Sequence, residues 1–233
     1  MSTDPLNRRR FLTIGSAGVA SVLLGCSKTG DVKGHTGDTV GTGDSTADTD
    51  TDTDTDTDDS CEATTSDITG PYWRDGIPVR NDFDLYGHEG HTLLLSGQVR
   101  DEDCQPIPNA VIEMWHAMPT LIAAEDLEPS DTVDYDTDSE GYRYYGQFAT
   151  DSDGTYSMKT LKPGWYLNGS AFRPSHIHVK VYVDGVEKLT TQLYFKEDPF
   201  ITNDPWASEA PERAVELAAK EDGTLEGRFD FTV

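Results

Sequence analysis

The sequence has few basic residues and few cysteines, and it lacks a hydrophobic run long enough for an ordinary membrane span. Only 18 of the 233 residues are Lys or Arg, against 43 Asp or Glu, so the formal net charge is −25. Because such a charge repels polyanions, nucleic acid and anionic membrane surfaces are disfavoured as partners. The apolar run at residues 11–25 has about fifteen residues, which is short for a transmembrane helix.

The first 26 residues have the features of an export signal. Arg8, Arg9 and Arg10 precede the short apolar run, as in a signal peptide. The paired arginines resemble a twin-arginine signal, and the end of the run at Cys26 resembles a lipobox, in which the cysteine is lipidated. We therefore expect an exported protein, lipid-anchored to a bacterial membrane through Cys26 only, in the periplasm or on the cell surface. A short buried helix is the alternative interpretation.

Residues 27–60 are predicted to be a disordered acidic tether. They contain ten Asp among mostly Gly, Ser and Thr, and they end in a Thr-Asp repeat. This composition cannot form a core, and regular charge spacing extends the chain by repulsion. A calcium site is the alternative, but the glycine and closing glutamate of an EF-hand loop are missing. The folded domain is then residues 61–233, which still carry a net charge of −19.

Three cysteines are too few for a cysteine-based metal site and suit an exported protein. If Cys26 is lipidated, Cys61 and Cys104 remain. Outside the cytoplasm, two remaining thiols most simply form one disulfide.

The folded domain has the pattern of short strands separated by turns rich in Asp, Gly and Pro. This spacing predicts an all-β fold, an antiparallel β-sandwich with long loops and little helix. The only predicted helix covers residues 211–220, and residues 118–139 have no clear period and are predicted to be a long loop. The predicted strands are residues 93–99, 110–116, 155–161, 176–183, 189–195 and 228–233.

The strongest chemical signal is the pair His176 and His178. Residues i and i+2 of a strand point to the same face, so the two imidazoles lie side by side while Ile177 and Val179 face the other way. Such a His-x-His pair is a recurring half of a metal site. The alternative is one core histidine and one surface histidine.

Tyrosines are dense around this pair. A trivalent metal can deprotonate a phenol, and phenolate is a hard ligand, so two Tyr with two His would suit Fe(III) better than Zn(II) or Cu(I). For any single tyrosine the alternative is simple packing within the sandwich. The tyrosines concerned are Tyr135, Tyr142, Tyr144, Tyr145 and Tyr166.

From Gly70 to Phe195 the sequence resembles the intradiol ring-cleavage dioxygenases, the family of catechol 1,2- and protocatechuate 3,4-dioxygenases. The most discriminating part is Arg-Pro-Ser-His-Ile-His at residues 173–178, which follows Pro-Gly-Trp-Tyr at residues 163–166. Other matching pieces lie at residues 70–73, 97–117, 146–156 and 189–195.

The resemblance implies a non-haem Fe(III) held by two tyrosinates and two histidines. His176 and His178 match the histidine pair, and Tyr166 matches the tyrosinate that leaves the metal when substrate binds. For the first tyrosinate we predict Tyr135, with Tyr142 as the rival.

The resemblance also implies substrate-binding residues. Arg173 matches the arginine that orients and stabilises the substrate, and Gln192 matches a pocket glutamine. In the family the first tyrosinate follows the tryptophan much sooner, so residues 118–134 are an insertion that helps to wall the pocket.

The implied partners are a small aromatic diol and O2. The implied reaction cleaves the ring between the two hydroxylated carbons and gives a cis,cis-muconate-type diacid. Two alternatives remain open. One is a non-catalytic β-sandwich module that binds carbohydrate or protein. The other is a family member that keeps the metal with altered or lost activity.

Overall fold

Twelve β-strands and four short 3-10 helices form the part of the chain that the computed structural model describes, namely residues 61–83, 86–137 and 142–233. The signal predicted for residues 1–26 and the tether predicted for residues 27–60 lie outside these residues. None of the helices within the described ranges is long and apolar enough to cross a membrane. The 3-10 helices are Ala124–Asp126, Pro129–Asp131, Ile201–Asn203 and Pro211–Arg213.

Five of the six predicted strands coincide with strands of the structure to within a few residues, and the sixth overlaps the short last strand and the final residue of the strand before it. Several short strands were not predicted, because two to five residues carry too little periodicity. The strands are β1 (Thr92–Arg100), β2 (Val111–His116), β3 (Tyr145–Ala149), β4 (Thr155–Leu161), β5 (Leu167–Asn168), β6 (Ala171–Phe172), β7 (His176–Val183), β8 (Val186–Phe195), β9 (Ala214–Val215), β10 (Leu217–Ala219), β11 (Leu225–Arg228) and β12 (Phe231–Thr232).

Two five-stranded sheets form the predicted all-β sandwich. One sheet has the order β3-β2-β7-β8-β9, and the other has the order β10-β11-β1-β12 with β4 paired to β1. The long pairs are antiparallel as predicted, but β1 pairs in parallel with β11 and β12, and β8 pairs in parallel with β9. These parallel partners are short strands from the last twenty residues, which follow the long connection at residues 196–213.

The hydrophobic core lies between the two sheets and contains the side chains from one face of each long strand. Strand β1 alternates strictly between buried and half-buried residues, and its Leu93 and Leu95 pack in one cluster with Ile177 and Val179 of β7. His176 and His178 therefore point to the outer face of their sheet, as the two-residue period requires. They are nevertheless buried, because other parts of the chain cover that face.

The helix predicted for residues 211–220 is wrong. A single 3-10 turn, Pro211–Arg213, is followed directly by β9 and β10, which pair with β8 and β11. The alanines and charged residues of this stretch favour a helix locally. Pairing with two sheet edges overrides that preference, because it satisfies the backbone while burying Val215.

The N-terminal segment, defined here as residues 61–73, runs along the free edge of β8 and then over the outer face of the sheet, where Gly70 approaches His178. The Asp67 amide donates to the Thr190 carbonyl at 2.8 Å, and the Thr191 hydroxyl donates to the Thr65 carbonyl at 2.8 Å. The segment begins at the predicted disulfide, which is present between Cys61 and Cys104. Its start is thus fixed covalently beside the turn that follows β1.

Removal of the disulfide is expected to destabilise the protein by about 4 kcal/mol. The bond joins residues 43 positions apart, and a crosslink of that span restricts the unfolded chain strongly. The comparison is urea unfolding of the Cys61→Ser/Cys104→Ser double variant against the wild type. A loss below about 1 kcal/mol would show that the bond does not constrain the unfolded chain as the entropic account requires.

Candidate metal centre

Two histidine side chains lie side by side beneath the N-terminal segment. The ring centroids of His176 and His178 are 4.9 Å apart, and both residues are at most 2% exposed. Nδ1 of His176 lies 2.6 Å from the Pro174 carbonyl, which can only accept a hydrogen bond. That contact places the proton on Nδ1 and leaves a lone pair on Nε2, as a metal ligand requires.

Both imidazoles are neutral at ordinary pH. Burial, reinforced by the Arg173 guanidinium, lowers the pKa of His176 to about 3. Burial and the neighbouring His176 lower the pKa of His178 well below its usual 6.5. Since a metal binds the neutral imidazole, protons do not compete with a metal for these nitrogens near neutral pH.

Tyr135 completes a set of three converging ligand atoms. Its hydroxyl oxygen lies 3.1 Å from Nε2 of His176 and 3.0 Å from Nε2 of His178. The hydroxyl can donate to Nε2 of His176, and it can accept from Nε2 of His178 if that nitrogen carries the His178 proton. Metal–ligand bonds of about 2.1 Å at near-right angles would place neighbouring donor atoms about 3 Å apart. The spacing of the three atoms therefore also suits a shared cation.

The fourth predicted ligand, Tyr166, lies at the edge of the same cluster. Its ring centroid is 5.6 Å from that of Tyr135 and 5.7 Å from that of His176. It is half-buried, whereas the other three residues are buried. The structure thus brings all four predicted metal ligands together, with Tyr166 the most exposed.

The insertion at residues 118–134 places Tyr135 close to β2, because the two ends of the insertion are hydrogen-bonded to each other. The Met118 amide donates to the Asp134 carbonyl at 2.9 Å, and the Gly164 amide donates to the Met118 carbonyl at 2.9 Å. Residues 118–134 thus leave the end of β2 and return to it, so Tyr135 follows β2 in space although it is distant in sequence.

The rival tyrosine, Tyr142, lies elsewhere. Its hydroxyl donates to the Asp75 carbonyl at 3.0 Å, and its ring meets Tyr145 edge-on. No contact between Tyr142 and either histidine is found in the described part of the chain. Geometry therefore favours Tyr135 over Tyr142.

Tyr135 needs a cation to ionise. Burial, reinforced by the neighbouring Tyr166 phenol, raises the pKa of Tyr135 well above 10. Without a bound cation the phenol keeps its proton at all ordinary pH values. A trivalent ion at the converging atoms would reverse this preference, because a bound cation dominates the local electrostatics.

Arg173 lies beside the four rings and is held rigidly. The β5–β6 hairpin aligns it with Tyr166, since the Arg173 amide donates to the Tyr166 carbonyl at 3.0 Å. Its guanidinium forms a two-point ion pair with Asp204, at 2.7 and 3.1 Å, and lies 4.5 Å from the Trp206 ring centroid. Burial lowers the Arg173 pKa, but hydrogen bonds to Asp204 and to Tyr166 outweigh it and raise the pKa overall. The side chain is thus a permanent buried cation.

Gln192 is positioned by strand register. It pairs with His178 across β7 and β8, and its Oε1 accepts a hydrogen bond from Nη1 of Arg173 at 3.2 Å. Both predicted substrate-binding residues therefore border the candidate centre.

Three further residues enclose the centre, and no site role was predicted for them from the sequence. The Tyr72 ring stacks on Tyr135 with centroids 4.1 Å apart, and the Trp115 ring stacks on His178 at 5.0 Å. Gly70, at a positive φ of 71°, allows the N-terminal segment close approach, since a Cβ there would lie 2.9 Å from Cε1 of His178. The motif at residues 70–73 could be recognised in the sequence, but its position over the two histidines could not be predicted.

The ligand set combines imidazole with phenol. No cluster of three His, Cys, Asp or Glu occurs within residues 61–83, 86–137 and 142–233. Neutral imidazoles and ionisable phenols form a mixed nitrogen and hard-oxygen set, which fits a trivalent, oxygen-preferring ion such as Fe(III).

Comparison with known proteins places the chain in a family. A family model described as a dioxygenase matches residues 68–233. The chlorocatechol 1,2-dioxygenase of Pseudomonas putida is 30% identical over 71% of this chain and 66% of its own length. The catechol 1,2-dioxygenase of Acinetobacter baylyi is 32% identical over 61% of this chain and 49% of its own length. The chain thus spans about half to two thirds of these relatives.

Solved structures agree with this assignment. The dioxygenase domain of a dioxygenase carbohydrate-binding protein fusion from Streptomyces sp. SirexAA-E is 28% identical with a TM-score of 0.61, over 74% of this chain and 98% of that one. The 3-chlorocatechol 1,2-dioxygenase of Rhodococcus opacus is 25% identical with a TM-score of 0.60, over 72% and 71% of the two chains. The chain belongs to the intradiol ring-cleavage dioxygenase family.

Proposed function

We propose that this protein is a non-haem Fe(III) dioxygenase that uses O2 to open the ring of a catechol-type aromatic diol between its hydroxylated carbons. The product would be a cis,cis-muconate-type diacid. The observation that carries the proposal is the convergence of the Tyr135 hydroxyl with Nε2 of both histidines, at 3.0 and 3.1 Å. Family membership supports the same reaction class.

Four residues would hold the iron: Tyr135, Tyr166, His176 and His178. When bound, Fe(III) supplies a Lewis-acidic centre that a diol can chelate and that withdraws electron density from the ring. Deprotonated phenols and neutral imidazoles satisfy its preference for hard oxygen and intermediate nitrogen ligands.

Tyr166 is the residue suited to leave its position and take up a proton. The other three ligands are buried, whereas Tyr166 is half-buried and faces the Arg173 guanidinium. As a tyrosinate it would accept one of the two protons that a chelating diol loses, and the second would pass to solvent.

Arg173 would orient the deprotonated diol and stabilise the negative charge that develops on its ring. Because Asp204 and Trp206 fix the guanidinium in advance, it needs no reorganisation during the reaction. Tyr72 and Trp115 cover the other sides of the rings and exclude water from the buried ligands.

Arg173→Gln is expected to lower kcat/KM about 10²–10³-fold while iron content stays unchanged, because a preorganised charge is lost without loss of a ligand. Arg228→Gln serves as the matched control, since the Arg228 side chain is 64% exposed in the other sheet. Equal kinetics for the Arg173 variant and the control would contradict the assigned role.

Oxygen uptake with a set of diols tests the proposed function. The iron-loaded protein is mixed with catechol, 4-methylcatechol and 4-chlorocatechol, with hydroquinone as the control that cannot chelate through adjacent hydroxyls. Equimolar O2 consumption and a ring-opened diacid from the catechols alone are expected. Iron binding without turnover would indicate a family member with altered or lost activity, and absence of iron would favour the non-catalytic binding module.

We also propose that the protein is exported and anchored by lipid on Cys26, with residues 27–60 as its tether. The support is the sequence of residues 1–26. Membrane fractionation of the wild type and of Cys26→Ser tests this. Recovery of both in the same soluble fraction would contradict the anchor.

A further inference from the structure

Asp67 is a buried carboxylate next to the residues proposed to bind substrate. It lies in the N-terminal segment, immediately before the region matched by the family model, which begins at residue 68. Its side chain is 2% exposed and forms an ion pair with Arg213, whose side chain is 3% exposed. The same carboxylate accepts a hydrogen bond from the Tyr194 hydroxyl at 3.0 Å.

The Tyr194 hydroxyl lies between Asp67 and Arg173. Nη2 of Arg173 is 3.2 Å from the Tyr194 oxygen, and Oε1 of Gln192 is also 3.2 Å from it. A phenol has one proton to donate, so it must choose between the Asp67 carboxylate and the neutral Gln192 oxygen. The charged acceptor forms the stronger bond, so the proton points to Asp67. The Tyr194 lone pairs then face Arg173.

The next residue of the segment fixes the orientation of Gln192. The Ile68 carbonyl accepts a hydrogen bond from Nε2 of Gln192 at 3.0 Å. That contact assigns the amide nitrogen to the Ile68 side and leaves Oε1 to accept from Arg173 at 3.2 Å. Asp67 and Ile68 therefore orient the side chains of Tyr194 and Gln192. Each of these side chains then presents one oxygen acceptor to the Arg173 guanidinium.

We propose that Asp67 is a positioning residue, which acts through the Tyr194 hydroxyl to keep Arg173 aimed at the substrate. The proposal rests on the proposed function, because Arg173 is assigned there to the diol. The competing explanation is that the buried Asp67–Arg213 pair only stabilises the fold.

The test compares Asp67→Asn, Tyr194→Phe and the double variant by anaerobic titration of the iron-loaded protein with catechol, followed in the visible spectrum. Each single variant is expected to raise the catechol dissociation constant about tenfold. Tyr194→Phe removes the hydrogen bond to the Arg173 guanidinium, and Asp67→Asn replaces the charged acceptor that orients the Tyr194 hydroxyl with a neutral amide. Because both changes interrupt one path, the double variant is expected to bind no more weakly than the weaker single variant. Iron content and the spectrum without catechol are expected to stay unchanged.

Asp230→Asn is the matched control. Asp230 is also paired with arginine, namely Arg100 and Arg228, but it lies in the connection between β11 and β12 and its side chain is 25% exposed. This control removes an arginine-paired carboxylate away from the candidate centre, and catechol affinity is expected to stay unchanged. Should Asp67→Asn fail to fold, Tyr194→Phe keeps the proposal falsifiable, because it leaves the Asp67–Arg213 pair intact and wild-type affinity in this variant would exclude a path through the Tyr194 hydroxyl.

Three results would overturn the proposal: wild-type affinity in either single variant, multiplied effects in the double variant, or loss of iron in proportion to loss of catechol affinity. The titration excludes O2, so it measures positioning without turnover. A wild-type protein that binds catechol but consumes no O2 would refute the proposed function alone. If the wild-type protein turns over catechol but Tyr194→Phe binds catechol with unaltered affinity, the positioning role is refuted and the proposed function is not.

Discussion

His178→Ala is expected to abolish iron binding and visible absorption together, and to lower oxygen uptake below about a thousandth of the wild-type rate. Loss of a residue that merely supports a metal ligand typically costs 10–100-fold in metal affinity or activity, so loss of a ligand costs more. The measurement is iron per chain by elemental analysis, with the visible spectrum and the oxygen-uptake rate on the same sample. Full iron content in this variant would show that His178 is not a ligand.

His116→Asn is the control for that experiment. His116 is also fully buried and pairs with Ile177 in the neighbouring strand, but both its ring nitrogens are engaged, with the Ala117 carbonyl and the Thr160 hydroxyl at 2.7 Å each. Its replacement is expected to cost about 1–3 kcal/mol of stability, because a buried partner is left unsatisfied. The iron content of the folded fraction is expected to remain that of the wild type.

Tyr135→Phe is expected to lower iron affinity at least about a hundredfold and to remove one of two phenolate-to-iron charge-transfer contributions from the spectrum. The ring is kept, so stacking on Tyr72 survives and only the ligand oxygen is lost. Tyr142→Phe is the matched control, since it removes only the hydrogen bond to the Asp75 carbonyl. If Tyr142→Phe loses its visible absorption while Tyr135→Phe keeps it, Tyr142 is the metal ligand and Tyr135 is not.

The strand pattern and the histidine pair were predictable because both depend on local periodicity. A two-residue period fixes which side chains share a face, whatever the rest of the chain does. It placed Ile177 and Val179 in the core and His176 with His178 on the opposite face. Bulky residues in short runs sufficed to predict the long strands, and turn residues delimited them.

The choice between Tyr135 and Tyr142 as the proposed first tyrosinate could not be made from the residues alone. The position of Tyr135 depends on the backbone contact between Met118 and Asp134, which closes the loop at residues 118–134. No local pattern reports whether such a loop closes. The resemblance to the family supplied the choice between Tyr135 and Tyr142, and the structure places Tyr135 against the histidines.

The covering of the centre also depends on long-range packing. Burial of both histidines requires the N-terminal segment, whose Gly70 approaches His178 from more than a hundred residues away in sequence. The wrong helix at residues 211–220 has a similar cause, because distant strand edges decided its conformation.

The most direct test of the account is iron quantitation with a visible spectrum of the purified protein, before and after anaerobic addition of a 4-substituted catechol. We expect an equimolar amount of iron, visible absorption from two tyrosinates, and a changed band once the diol is bound. A colourless protein with equimolar iron, or one that binds no iron, would contradict the convergence of four side chains on one ferric ion.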